Sequence, residues 1–562
     1  PMETIVNIVG GVALLLWGIR MVRTGVTRSF GAELRTVLSA SAKNRLTAAL
    51  AGFGVTATIQ SSTATALIVS AFAGKGLVPM TAALAIMLGA DVGTTIVAQV
   101  LSFDLLWLSP LLIAVGVILF LASERRKRRN FARICLGLGL MLLALRLIVL
   151  ASVPLRETDA VSVLLQPLAA EPLLAILVAA LLTWASHSSI AVVLLVMSLA
   201  SMQVLSIQLA LVLVLGINLG GAMAAIGVTL ASPALARRVP VGNLIMRAIG
   251  VLLMLPLVAY VHPYLAMLDD QPARVVVNFH TGFNLALLVL FLPLLGFIEK
   301  LVERLVPEQA VTEDPGRPRY LDLAAMETPN VALACAARET LHLGDEVKQM
   351  LVSSFEVFRD NDDRLVKAVE KQDDVIDALH ESIKLYLTRL TNEELETNES
   401  ERCIEILSFT TNLEHIGDIV DKNLMELASK KIKSQRTFST AGEAELADFH
   451  QRIVSNLDLA LNVFMSGNLD SARQLLHEKT AIREQERRYI EMHFERVSAG
   501  QTESIESSSL HLDVLRDLKR INSHLTSVAY PILDRAGELA ASRLVNEPAD
   551  TLVGGAEPSV PQ

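Results

Sequence analysis

Residues 56–65 read Thr56-Ala57-Thr58-Ile59-Gln60-Ser61-Ser62-Thr63-Ala64-Thr65, seven hydroxyl or amide side chains in ten, set inside an apolar stretch of membrane length. A thinner copy follows 127 residues later, where His187-Ser188-Ser189 stands in register with Gln60-Ser61-Ser62. The same register carries Gly89-Ala90-Asp91-Val92-Gly93 onto Gly216-Ile217-Asn218-Leu219-Gly220. Polar groups in hydrocarbon are costly and usually functional, and two matching polar segments in two halves of a membrane protein point to a transport site.

Composition divides the chain into two solvents. The 562 residues are 52% hydrophobic with a net charge of −9, but the charge is uneven: residues 1–304 carry net +9 and residues 305–562 net −18. The first part is an apolar membrane domain with basic loops, the second an acidic soluble one. Cys135, Cys335 and Cys403 are too far apart for a metal motif or a disulfide framework. The apolar run from Ile5 to Ile19 lacks a convincing cleavage site and reads as a retained first span.

Stretches able to cross about 30 Å of hydrocarbon fall near 4–22, 77–102, 105–123, 131–153, 203–230, 240–262 and 278–303. Segments 46–75 and 171–200 are apolar but interrupted, and read as re-entrant helical hairpins. With these hairpins not crossing, three basic clusters fall on one face: Arg20 through Arg45, Arg125 to Arg129, and Arg237-Arg238. The positive-inside rule makes that face cytoplasmic, with the N-terminus outside and the acidic half inside. Three crossings per repeat predict two inverted repeats, about 4–123 and 131–262, with an extra span at 278–303. The Arg125 to Arg129 cluster lies between spans, so it is a topology determinant rather than a nucleic-acid patch. A Pro- and Gly-bearing linker over 304–330 leads to amphipathic helices at 331–540, an all-α bundle. The tail, 541–562, reads as disordered.

Hydroxyls and amides can donate to an oxyanion or offer hard oxygens to Na+, without fixed charge. Asp91 must be paired or bind a cation; Na+ ligation is one reading, with flanking glycines allowing a kink that frees carbonyls, and an ion pair to Arg146 or Arg247 is the other. Asn218 supplies an uncharged oxygen at the matching position. His187 either binds the anion in a pH-sensitive way or is structural. Within Asn278 to Asn284, Asn284 lies deepest, with His280 placed at the interface. No Walker loop and no nucleophile with a partnered base occurs, so the chain reads as a secondary transporter and not an enzyme. In the soluble part, Leu413-Glu414-His415-Ile416-Gly417-Asp418 puts two carboxylates on one helical face, with Asp421 and Asp373-Asp374 available to complete a cation site.

Gln60-Ser61-Ser62-Thr63 followed by Gly89-Ala90-Asp91-Val92-Gly93-Thr94-Thr95 resembles the type II sodium/phosphate cotransporter family over about residues 3–303, and residues 331–540 resemble the PhoU family of phosphate-signalling bundles. The resemblance implies a shared phosphate and Na+ site lined by Gln60, Ser61, Ser62, Ser188 and Ser189; with the reading of the residues themselves, Thr63 and His187 join the expected phosphate set, and Asp91, Thr94, Thr95, Asn218 and Asn284 form the expected sodium set. It also implies a divalent metal at Glu414 and Asp418 of the PhoU-like bundle. No organic cofactor is required; the expected partners are inorganic phosphate, Na+ and the lipid bilayer of the inner membrane, with a cytosolic signalling partner and a homo-oligomer left open. Departures are His187 for Gln, Ile190 for a hydroxyl, Gly221-Ala222 for Thr-Thr, Asp91 for Asn, and Leu518-Lys519-Arg520-Ile521-Asn522-Ser523, which lacks both acids. Sodium-coupled phosphate transport by alternating access is therefore the expected function. A membrane-anchored phosphate sensor and a carrier of another oxyanion are the alternatives.

Overall fold

The computed structural model describes residues 2–103, 105–123, 126–156, 159–230, 232–308, 315–392 and 395–539. The expected disordered tail, Arg125 and residues 309–314 of the linker lie outside them. Every regular element among the described residues is helical. The chain forms two units, Pro1–Thr312 with Asp322–Val331, and Glu313–Leu321 with Ala332–Gln562.

The first unit opens with α1 (Met2–Ala40), then α2 (Arg45–Ile59), α3 (Ser62–Gly74), α4 (Met80–Leu101), α5 (Ser109–Ala122) and α6 (Arg126–Arg156). After α7 (Asp159–Ala170) the order returns as α8 (Pro172–Ser186), α9 (Ser189–Ser201), α10 (Ile207–Thr229) and α11 (Ala234–Met254), followed by α12 (Val258–Leu268), α13 (Pro272–Phe291) and α14 (Leu295–Leu305). The 127-residue register holds in three dimensions. It carries the bounds of α2 onto α8 and of α3 onto α9 without a shift, and the start of α4 onto that of α10. Each expected hairpin is thus a pair of helices of 15 and 13 residues. At 1.5 Å per residue one such arm reaches about 20 Å, too little to cross about 30 Å of hydrocarbon.

Among the described residues, six helical stretches are long and apolar enough to cross a membrane: Glu3–Lys43, Met80–Leu101, Lys127–Pro154, Ile207–Thr229, Ala234–Leu268 and Pro272–Phe291. The expected crossing at 105–123 is instead the shorter apolar helix Leu106–Ala122. The expected span 278–303 is divided at residues 292–294, where Pro293 lacks the N–H that would continue the helix. Exposed Leu111, Ile118, Leu121, Leu252 and Val289 cover the outside of these helices, a surface suited to lipid.

Two further sequence readings change. Helix α1 does not stop at residue 22, so Arg23, Arg28 and Arg35 ride on the helix itself. Nor is all of 304–330 a free linker, because its last part docks on α1: Arg35 Nη1 donates to Asp322 Oδ2 at 3.1 Å and Arg23 pairs with Glu327 at 3.3 Å.

The second unit contains α15 (Pro329–Asp360), α16 (Asp363–Leu390), α17 (Thr397–Ile419), α18 (Glu426–Lys433), α19 (Thr440–Ser466), α20 (Leu469–Ser498), the short α21 (Thr502–Glu506), α22 (Ser508–Leu525) and α23 (Ala529–Arg535). Buried Leu343, Val347, Ile376, Leu379, Ile383, Leu413 and Ile416 recur at three- and four-residue spacing and form its core, as the sequence pattern predicts.

Candidate functional site

Each hairpin turns on one residue in the left-handed region followed by one extended serine. Helix α2 ends when Gln60 takes φ 61°, its N–H donating to the Thr56 carbonyl at 2.8 Å. Ser61 then caps α3, its hydroxyl accepting from the Ala64 N–H at 3.2 Å. In the second copy His187 takes φ 51° and Ser188 accepts from the Ala191 N–H at 3.2 Å. A left-handed residue without glycine is locally unfavourable by about 1–2 kcal/mol, so its appearance at both turns marks a fixed shape rather than a relaxed loop. The product is a helix N-terminus with main-chain N–H groups and serine hydroxyls gathered at each turn, an environment that favours an anion.

Close packing holds the hairpins. A Cβ at Gly89 would lie 1.8 Å from the Ala49 carbonyl oxygen and one at Gly93 2.5 Å from that of Phe53. In register, Cβ atoms at Gly216 and Gly220 would lie 2.3 Å from the carbonyl oxygens of Ile176 and Ala180. The glycines beside Asp91 therefore serve helix contact. They do not kink the chain to free carbonyls, because α4 and α10 are both continuous. The second arms cross over: α3 packs on α10 and α11, and α9 packs on α4 and α13.

At the middle of α4 the Asp91 carboxylate is buried against Arg247 of α11. Nε of Arg247 donates to Asp91 Oδ2 at 2.9 Å, Nη2 pairs with Oδ1, and Nη1 donates to the main-chain oxygen of Asn218. Of the two readings of Asp91, pairing with Arg247 is the arrangement present. The Asn218 side chain is also engaged: Nδ2 donates to the Val214 carbonyl at 2.8 Å and Oδ1 accepts from Asn284 Nδ2 at 3.0 Å. Thr94 and Thr95 are buried, their hydroxyls donating at 2.8 Å to the carbonyls of Asp91 and Val92. Their oxygens keep acceptor capacity, and Asn284 Oδ1 is buried with no hydrogen-bond partner. His280 is not at an interface; it is buried beside Asn218 and Asn284. A separate cluster joins Gln99 to Asn278 at 3.1 Å and Thr281 at 2.9 Å, with Arg274 Nη1 on Gln99 Oε1 at 3.1 Å.

Phosphate and sodium candidates thus fall in two layers, Gln60 to Thr63 and His187 to Ser189 at the turns, and Asp91, Thr94, Thr95, Asn218 and Asn284 on the long helices. The central place of Arg247 was visible in the sequence only as a buried-span arginine able to pair with Asp91. The polar stretch Asn278 to Asn284 draws attention to His280, but not to its place beside Asn218 and Asn284.

In the second unit, one ligand atom each from Glu414, His415 and Asp418 lie within 4.8 Å of one another, a spacing that fits a metal ion. His415 Nδ1 stands 2.9 Å from Glu414, and Lys422 pairs with Asp418. Asp373, Asp374 and Asp421 do not complete this set. They line an open hollow of about 690 Å³ with Glu370, Lys367 and Lys371. Burial, with the charges of Asp377, Asp421 and Asp418, pushes the Asp373 carboxyl up to about 7. In the acid-free second motif, Lys519 pairs with Glu486 at 2.8 Å and Arg520 with Asp517 at 2.9 Å.

Residues 14–149 and 155–292 match the family described as Na+/Pi-cotransporter, and residues 340–425 and 446–532 match the PhoU domain. The chain is 42% identical over 537 residues to the Escherichia coli K12 protein named "Putative inorganic phosphate export protein YjbB", covering 96% of this chain and 99% of that one. The Salmonella typhimurium protein of the same name is 41% identical over 537 residues, with 95% and 98% covered. The Bacillus subtilis "Uncharacterized protein YqeW" is 24% identical over 299 residues, 53% of this chain and 96% of that one. The crystal structure of PhoU from Pseudomonas aeruginosa aligns with 37% of the chain and 99% of its own length, at 18% identity and a TM-score of 0.34.

Proposed function

Because the chain belongs to the Na+/Pi-cotransporter family and carries a PhoU domain, we propose that it moves inorganic phosphate across the inner membrane by alternating access. The carrying observation is the pair of hairpin turns, each with a left-handed residue, a capping serine and a helix N-terminus. Phosphate takes donors from Gln60, Ser61, Ser62 and Thr63 on one side and from His187, Ser188 and Ser189 on the other, its charge favoured by both helix termini. The two repeats are inverted about the site, and rocking of one against the other exposes it to each face in turn.

Na+ is the coupling ion of this reading, and the acceptor oxygens of Thr94, Thr95 and Asn284 are those open to it. The relatives' names support net movement outward; the same turns serve either direction, which gradients select. The basic clusters support an outside N-terminus and a cytoplasmic bundle. That bundle regulates flux, with a divalent cation on Glu414 and Asp418.

Protein reconstituted in liposomes should exchange labelled phosphate across the bilayer, and Gln60→Ala with Ser61→Ala should abolish the exchange. Phosphate bound but never exchanged would overturn transport. Equal flux in choline and Na+ would overturn only the coupling.

A further inference from the structure

The oxygens best suited to a coupling cation are already filled from within the protein. Asp91 and Asn218 occupy matching positions of the two repeats, and the Arg247 guanidinium bridges them, holding the Asp91 carboxylate with Nε and Nη2 and the Asn218 main-chain oxygen with Nη1. A carboxylate and a carbonyl converging in a dry interior are ligands a small hard cation takes. Both charged side chains are 3% exposed, so water does not share the work of neutralising Asp91.

The surroundings are shaped for the guanidinium. Residue 221 corresponds in register to Thr94, yet it is glycine, and a Cβ there would come 3.1 Å from Arg247 Nη1 and 3.6 Å from Ser189 Cβ. A threonine like that of the first copy would press on the guanidinium. Arg247 itself has no counterpart, since Phe120 stands at the register position in the first repeat. Three breaks in the repeat pattern, the carboxylate at 91, the missing side chain at 221 and the arginine at 247, thus converge on one point.

We propose that Arg247 is a tethered cation standing in for a Na+ that Asp91 and Asn218 would otherwise bind. The charge that neutralises Asp91 then stays with the protein through the transport cycle. Any sodium coupling must come from the remaining oxygens, Thr94, Thr95 and Asn284, and the ion count per phosphate is lower by one. The inference refines the transport reading, but its test needs no transport.

The full chain is purified in detergent and measured by equilibrium binding of radioactive Na+ and by thermal unfolding in sodium or choline chloride. Arg247→Ala should bind about one more Na+ per chain than the wild type, and should melt several degrees higher in sodium than in choline, since an ion bound only to the folded state stabilises it. The double variant Asp91→Asn with Arg247→Ala should lose both effects. An Arg247→Ala protein whose sodium count equals the wild type's and whose folded yield and melting temperature are the same in the two salts, well folded or not, overturns the proposal. A double variant that keeps the extra ion also overturns it, because the ion then lies elsewhere. Loss of phosphate exchange with these results intact would instead count against the transport reading alone.

Discussion

The two hairpins share a backbone and differ in chemistry. Both have arms of 15 and 13 residues, a left-handed turn residue, a capping serine and a glycine-lined contact with the following long helix. In the first, Ser61 and Ser62 are 7% exposed and Thr56 Oγ1 meets Thr65 Oγ1 at 2.7 Å, tying the arms together. In the second, His187 is exposed, Ser188 and Ser189 are half-buried, and the matching pair is Thr183 and Val192, with the Thr183 hydroxyl turned back to the Ala179 carbonyl at 2.7 Å. Backbone shape is set by glycine contacts and caps, so side chains at the turn can diverge without loss of the fold. On the proposed function, the first hairpin is the tighter anion half and the second the looser one.

That ranking can be broken most directly at the turns. A hydrogen bond to a charged ligand is worth about 1.5–3 kcal/mol, so Gln60→Ala with Ser61→Ala should lower phosphate affinity by about 100-fold or more. Ser188→Ala should cost about 10-fold on the same scale, because its more accessible site leaves water to replace the lost donor. Phosphate binding measured on both variants tests the order, and equal losses would erase the distinction between halves.

Packing offers the next largest effect. Gly89→Ala would drive a methyl into the Ala49 carbonyl, and such overpacking costs about 1–3 kcal/mol or more. Gly54→Ala, on an arm of the same hairpin with nothing within 4 Å, should instead be neutral or stabilising by up to about 1 kcal/mol. Melting temperatures of the two variants check this, and a Gly89→Ala protein as stable as wild type would show that the close contact does not hold the hairpin.

Much of this comparison was legible in sequence. The 127-residue register, read from Gln60-Ser61-Ser62 and Gly89 to Gly93, anticipated both hairpins and the asymmetry of hydroxyls, because polar residues in hydrocarbon and small residues at helix contacts are few and positional. What sequence could not decide was pairing across elements. Asp91 and Arg247 are 156 residues apart, and Arg146 was an equal candidate until packing brought α11 rather than α6 to α4. The kink that the glycines beside Asp91 suggest in sequence is absent for the same reason, since their purpose depends on Ala49 and Phe53 in another helix. Span lengths failed at Pro293, where a local break overrides continuous hydropathy.

The smallest effects concern the hydroxyl tie. Thr65→Val keeps the shape of residue 65 but removes its side of the tie, leaving a buried Thr56 hydroxyl to find another partner, for a loss of about 1 kcal/mol and a weaker anion site. The reciprocal change is more informative. Val192→Thr places a hydroxyl at the position matching Thr65, opposite Thr183, whose hydroxyl can turn from the Ala179 carbonyl to meet it. Gaining one neutral hydrogen bond while hydrating less of the hairpin should raise stability by at most about 1 kcal/mol and bring the second half closer to the first in phosphate affinity. If Val192→Thr leaves affinity unchanged while Thr65→Val lowers it, the tie acts only where the turn is already buried, and the asymmetry resides in the burial of Ser61 and Ser62 rather than in the threonine pair.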